Sequence, residues 1–172
     1  MAGNNVVEFK VTGFDHLAAQ LREIPRAMRV RVLRNALAAG ARLVRDEARR
    51  QAPILQLRNA RPGRKPGTVR RAISVRTSKA DRKAGDVGVF VNVRPAPGAK
   101  FRKGVKVRAS QRGANNQNDP YYWRWLEFGS RKLRATPFLR AGSRRLPQAL
   151  EVFKQQLGRW LDKIKTTGKV TP

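Results

Sequence analysis

The chain has 172 residues, enough for one domain with a real core, and its hydrophobic content of 40% is globular but lean. Lys and Arg total 39 against 11 Asp and Glu, a formal charge of +28 that repels itself in a compact state. Such a balance points to an anionic partner or to neighbouring subunits, with nucleic acid first among polyanions. The lack of cysteine excludes disulfides, thiolate metal sites and cysteine nucleophiles, and no apolar run approaches the roughly 20 residues of a membrane span.

The opening Met1-Ala2-Gly3-Asn4-Asn5 lacks a signal-peptide core, so the expectation is a protein kept on the cytoplasmic side of its host, or inside a particle assembled there. In VVEFKVT (6–12), Val7, Phe9 and Val11 alternate with Glu8 and Lys10, which predicts a half-buried strand. Asp15 can cap a short helix with Leu17, Leu21 and Ile24 on one side, ended or kinked by Pro25. A longer helix is predicted over 26–51. Met28, Val32, Leu33, Ala36, Leu37, Gly40, Leu43, Val44 and Ala48 form its stripe, and Ala39, Gly40 and Ala41 are small enough for close packing.

Residues 54–66 read as a basic loop carrying Arg58, Arg61, Arg64 and Lys65 among Pro/Gly breakers. Strands are predicted over 72–78, burying Ile73 and Val75, and over 86–93, where Val87, Val89, Val91 and Val93 alternate with Gly88, Phe90 and Asn92. KADRKAG between them makes a hairpin turn plausible. Residues 94–119 form a second basic loop with Lys100, Arg102, Lys103, Lys106, Arg108 and Arg112. C-terminal helices are predicted over 137–165: Thr136-Pro137 gives an N-cap with proline at the first helical position, and Pro147 starts a second helix after a kink. Leu150, Phe153, Leu157, Leu161 and Ile164 recur along it. The fold class is α+β, a small mainly antiparallel sheet packed by helices in a single domain over 1–165, with a flexible tail over 166–172.

Little in the sequence supports catalysis. His16 is the only histidine and sits beside Asp15 at a helix start, where capping or solvent exposure outweighs metal ligation. Asp46 and Glu47 point about 100° apart on a helix, a poor paired-carboxylate site, and are expected to pair with Arg42, Arg50 and their neighbours. GRKPGT lacks the spacing of a phosphate loop. Glu127, flanked by Trp125, Leu126 and Phe128, is costly to bury unless paired. With Arg124, Arg131, Arg134 and Arg140 in local reach, the expectation is a salt bridge that fixes the turn at Gly129. No catalytic, cofactor or metal residue is assigned.

Taken in order, EARRQAP (47–53), GTVRRAISV (67–75), YYWRWLEFGS (121–130) and TPFLRAG (136–142) give the chain a pattern that resembles the neck and tail-completion proteins of tailed phages, the "gene product ten" family of lambda-like siphophages. The two basic loops are longer and more basic than that pattern. The resemblance implies a non-enzymatic virion subunit in a homo-oligomeric ring of sixfold or twelvefold symmetry at the head–tail junction. It implies head-closure proteins and the tail terminator or tail tube as partners, with phage DNA in the channel. Six copies would bring 6 × 28, about 168, positive charges to that junction.

On this reading Tyr121, Tyr122, Trp123, Trp125 and Phe128 divide between the core and a subunit interface. Glu127 and Gly129 hold the turn, Phe138 and Leu139 anchor the last helices, and the basic loops line the channel or grip adjacent rings. The alternative is a stand-alone nonspecific nucleic-acid-binding protein. Its stacking aromatics belong among the basic loops, which hold only Phe101.

Overall fold

The computed structural model describes residues 15–54, 65–94, 116 and 118–167. The predicted strand over 6–12, nearly all of both basic loops and residues 168–172 lie outside the described residues. Within them the order is α1 (Asp15–Arg22), α2 (Arg26–Gln51), α3 (Thr68–Ala72), β1 (Ile73–Thr77), α4 (Lys79–Ala84), β2 (Val89–Val93), α5 (Trp123–Phe128), α6 (Phe138–Ser143) and α7 (Leu146–Thr167). The class is α+β, as the sequence predicts.

Helix α2 is the spine, and prolines bound it. The Pro25 carbonyl accepts from Arg29 N at 3.0 Å, and Ala52, extended at φ −65°, ψ 126°, leaves the helix just before Pro53, as a residue preceding proline is pushed to do. Its stripe meets two separate cores. Ala48 and Ala52 join Val69, Ile73, Val93 and Phe138, with Tyr122, Trp123, Leu126 and Leu139 packed against them. Val32 and Ala36 join Leu157 and Leu161, with Leu17 and Leu21 of α1 and Ile24 just after it closing over them. Each large side chain withdrawn from water here contributes about 1.5–3 kcal/mol.

Two glycines set how closely the helices approach. A Cβ on Gly40 would lie 2.4 Å from the Ala149 carbonyl oxygen of α7, and one on Gly142 would lie 2.8 Å from that of Val44. The predicted close packing at Gly40 is therefore realised, with α7 against α2.

Strands β1 and β2 pair antiparallel, with Ile73 opposite Val93, Val75 opposite Val91 and Thr77 opposite Val89. Arg49 fastens this ribbon to the spine: its Nη2 donates to the Ile73 carbonyl at 2.8 Å and its Nε at 3.2 Å.

The expected hairpin turn is instead a short helix. The Ser78 side chain accepts from Asp81 N at 3.3 Å, and Gly85 closes α4 in the left-handed region. This shortens both strands relative to 72–78 and 86–93. Residues 68–72, which precede β1, are also helical, with Thr68 Oγ1 donating to the Lys65 carbonyl at 2.7 Å. At the other end α7 continues through Thr166 and Thr167, two residues that the sequence reading assigns to the tail.

Candidate functional site

The stretch 121–142 forms α5, a basic turn and α6. Pro120 and Asp119 are buried beneath its start, and Trp123 N donates to the Pro120 carbonyl at 2.9 Å. Tyr121 stands edge-on to both Tyr122 and Trp125, with ring centroids 5.6 Å apart in each pair, and the Arg124 guanidinium lies 5.6 Å from the centre of the Trp123 ring. The aromatics divide as a six-residue helix must divide them. Tyr122 and Trp123 face the core, whereas Trp125 and Phe128 are 51% and 69% exposed.

Glu127 is 5% exposed and turned inward. Its Oε2 accepts from Leu139 N at 2.8 Å and its Oε1 from Arg140 N at 3.0 Å. Those N–H groups belong to the first turn of α6, where the backbone has no internal acceptor and a negative charge is favoured. Glu127 thus caps α6 from 12 residues upstream. Among the described residues no Lys or Arg lies within ion-pair distance of it, so the expected salt bridge to Arg124, Arg131, Arg134 or Arg140 is replaced by backbone donors.

Thr136, expected to cap this helix, is used elsewhere: its N and Oγ1 both donate to the Leu126 carbonyl, at 2.7 and 3.2 Å. Pro137 holds the N-cap position with no side-chain cap bond. Gly129 turns the chain at φ 79°, and Ser130 and Leu133 bridge the turn, with Ser130 N donating at 2.8 Å. Phe138, 1% exposed, and half-buried Leu139 seat α6 against the ribbon and spine.

A second carboxylate matters more than the sequence suggests. Buried Glu47 accepts from Gln51 at 3.0 Å, from Arg145 Nε at 3.0 Å and from Arg50. Arg145 lies between α6 and α7, so this cluster ties the spine to the C-terminal helices. The Gln51, Arg145 and Arg50 hydrogen bonds, in that order of effect, pull the Glu47 carboxyl down to about 2. Asp46 pairs with its neighbour Arg45, at 2.8 and 3.0 Å, which lowers its carboxyl too. Only Arg50 among the expected partners is used by Glu47. Arg145 is 98 residues away in sequence and carries no local signal.

Of the basic loop residues, Lys65 is described and exposed, and its carbonyl receives Thr68. Arg58, Arg61, Arg64, Lys100, Arg102, Lys103, Lys106, Arg108 and Arg112 lie outside the described residues. Among the described residues, no three His, Asp or Glu side chains group as metal ligands, and no helix is long and apolar enough to cross a membrane.

Comparison with curated proteins and with solved structures returns no match. Comparison with protein families matches one, described as "Bacteriophage HK97-gp10, putative tail-component", over residues 15–129. The matched span runs from the first residue of α1 to the glycine that ends α5, leaving α6 and α7 beyond it. With well over half of its length matched, the chain belongs to the HK97 gp10-like family of phage tail components.

Proposed function

We propose that the protein is a non-enzymatic structural subunit of a tailed-phage particle. It forms a ring at the head–tail junction, stacked between the head-closure protein and the tail, around the DNA channel. The observation that carries this reading is membership of the tail-component family over residues 15–129. The exposed pair Trp125 and Phe128, on a helix whose other face is locked to the core, supports a subunit contact there, since aromatic anchors dominate interface energetics. The charge of +28 per chain supports DNA and acidic neighbours as partners.

The test is the mass of the purified protein by light scattering, at low and high salt, with and without short duplex DNA. A closed ring of six or twelve copies is the expected result. Replacing Trp125 and Phe128 together by Asp should return that ring to monomers at unchanged melting temperature. A wild-type monomer that binds duplex tightly, with steep salt dependence and no assembly, would overturn the reading in favour of a stand-alone nucleic-acid-binding protein.

A further inference from the structure

The shoulder between α2 and α7 holds a cleft of about 360 Å³. Arg31, Arg34 and Arg42 enter it from α2 beside Asn35, and Gln156 and Trp160 close it from α7. At 100° per residue the three arginines fall within a sector of about 80°, spread over about 16 Å of helix axis. The core positions Val32, Ala36 and Gly40 lie on the other side of the helix. The Trp160 ring that forms one wall also carries Lys163, whose Nζ lies 5.7 Å from its centre.

The other arginines in the C-terminal half of α2 already have acceptors. Arg45 holds Asp46, Arg49 holds the Ile73 carbonyl and Arg50 holds Glu47. Arg31, Arg34 and Arg42 make no side-chain hydrogen bond or ion pair with any described residue. Arg42 already feels the Asp46 carboxylate four residues on, and guanidinium groups kept on one stripe gain further when an anion sits among them.

The chemistry of the walls narrows the anion. Guanidinium forks and side-chain amides are the donors that proteins aim at phosphate oxygens. A protein partner would need an apolar centre to its contact, and this cleft offers only Ala39 and the Trp160 ring. Counting both strands, a duplex presents about nine phosphates over 16 Å of its axis, a charge density sufficient to meet all three guanidinium groups.

We propose that the α2–α7 cleft is a phosphate-binding site that grips the backbone of duplex DNA without reading its sequence. The inference deepens the reading of a ring around DNA, and it places a grip on a helix.

The test compares the wild type with R31Q/R34Q/R42Q, and with the charge-matched control K79Q/R82Q/K83Q on α4, binding a 20-base-pair duplex across a salt series. Three lost phosphate contacts should make the slope of log K against log salt shallower by about 2.7, and the α4 control by less than one. The single change Arg42→Gln, at an exposed position, should remove about 0.9 of that slope and guards against misfolding of the triple variant. Equal changes in the triple variant and the α4 control, or none in either, would overturn the proposal.

A second arm titrates inorganic phosphate at constant ionic strength, reading the fluorescence that Trp160→Phe removes. Saturation there with no change in duplex slope would assign the cleft to free phosphate and overturn the DNA grip. Polyglutamate displacing duplex from the wild type but not from the triple variant, at concentrations matched in charge to DNA, would assign it to an acidic protein surface and do the same. Light scattering of the same variants reports ring formation separately, so a failed grip and a failed ring are told apart.

Discussion

Along α2, the C-terminal half shares a core with Val69, Ile73, Val93 and Phe138, whereas the N-terminal half shares one with Leu157, Leu161 and α1. The first region combines an apolar cluster with polar fasteners: Arg49 on the Ile73 carbonyl, Glu47 under Arg145, and Glu127 on the start of α6. The second is held by aliphatic and aromatic side chains, and its Arg31 and Arg34 line the α2–α7 cleft. Short elements cause the difference. A five-residue strand or a six-residue helix cannot satisfy its own ends, so side chains must do it. The 22-residue α7 satisfies nearly all of its backbone internally and needs only a stripe to bury.

The comparison can be broken most directly in the two cores. Phe138→Ala should lower unfolding free energy by about 3–5 kcal/mol, and Leu157→Ala by about 2–5 kcal/mol, measured by denaturant melts. Hydrogen exchange on both variants then sharpens it. If the two regions fold as separate units, Leu157→Ala will expose the amides of α1 and the end of α7 while those of β1 and β2 stay protected. Uniform loss of protection would mean a single cooperative unit.

Gly40→Ala tests the seam between the regions. Its methyl would press on the Ala149 carbonyl, and a net loss of about 1–3 kcal/mol is expected despite the better helix propensity of alanine. Unchanged stability would mean that α7 can move off the spine freely.

Glu127→Ala should cost about 1–3 kcal/mol by leaving two N–H groups of α6 without their acceptor. Glu127→Gln, which can still accept, should recover part of that loss. Equal losses for both would show that charge, rather than capping, is what the site requires.

The smallest effect concerns acid. Folding depresses the Glu47 carboxyl from 4.5 to about 2, so its contribution is complete above about pH 4.5 and is lost as pH falls toward 2. A Glu47→Gln variant should therefore show a flatter melting profile between pH 5 and pH 2 than the wild type. Parallel profiles would place the acid sensitivity elsewhere.

What the sequence reveals of this fold follows the range of the forces involved. The span of α2 is legible because prolines flank an apolar stripe, and Pro147 marks the kink before α7 because a ring nitrogen cannot donate. Ile73, Val93 and Phe138 are legible as core by alternation and by the Thr-Pro-Phe start. The helix α4 carries a readable signal, Ser78 three residues before Asp81 and then Gly85, which resembles turn chemistry closely enough to be taken for a hairpin. The backbone donors on Glu127 and the Arg145 on Glu47 are not legible, because they come from 12, 13 and 98 residues away. The stripe of Arg31, Arg34 and Arg42 is visible as spacing, yet the α7 residues that turn it into a cleft are not.

Both regions are mounted on one uninterrupted helix of 26 residues, about 39 Å long. Such a rod acts as a ruler: a surface engaged at the ribbon end stands at a set distance from one engaged at the arginine end. In a repeating assembly, that fixed spacing would let each subunit hold two layers in register without a hinge between them.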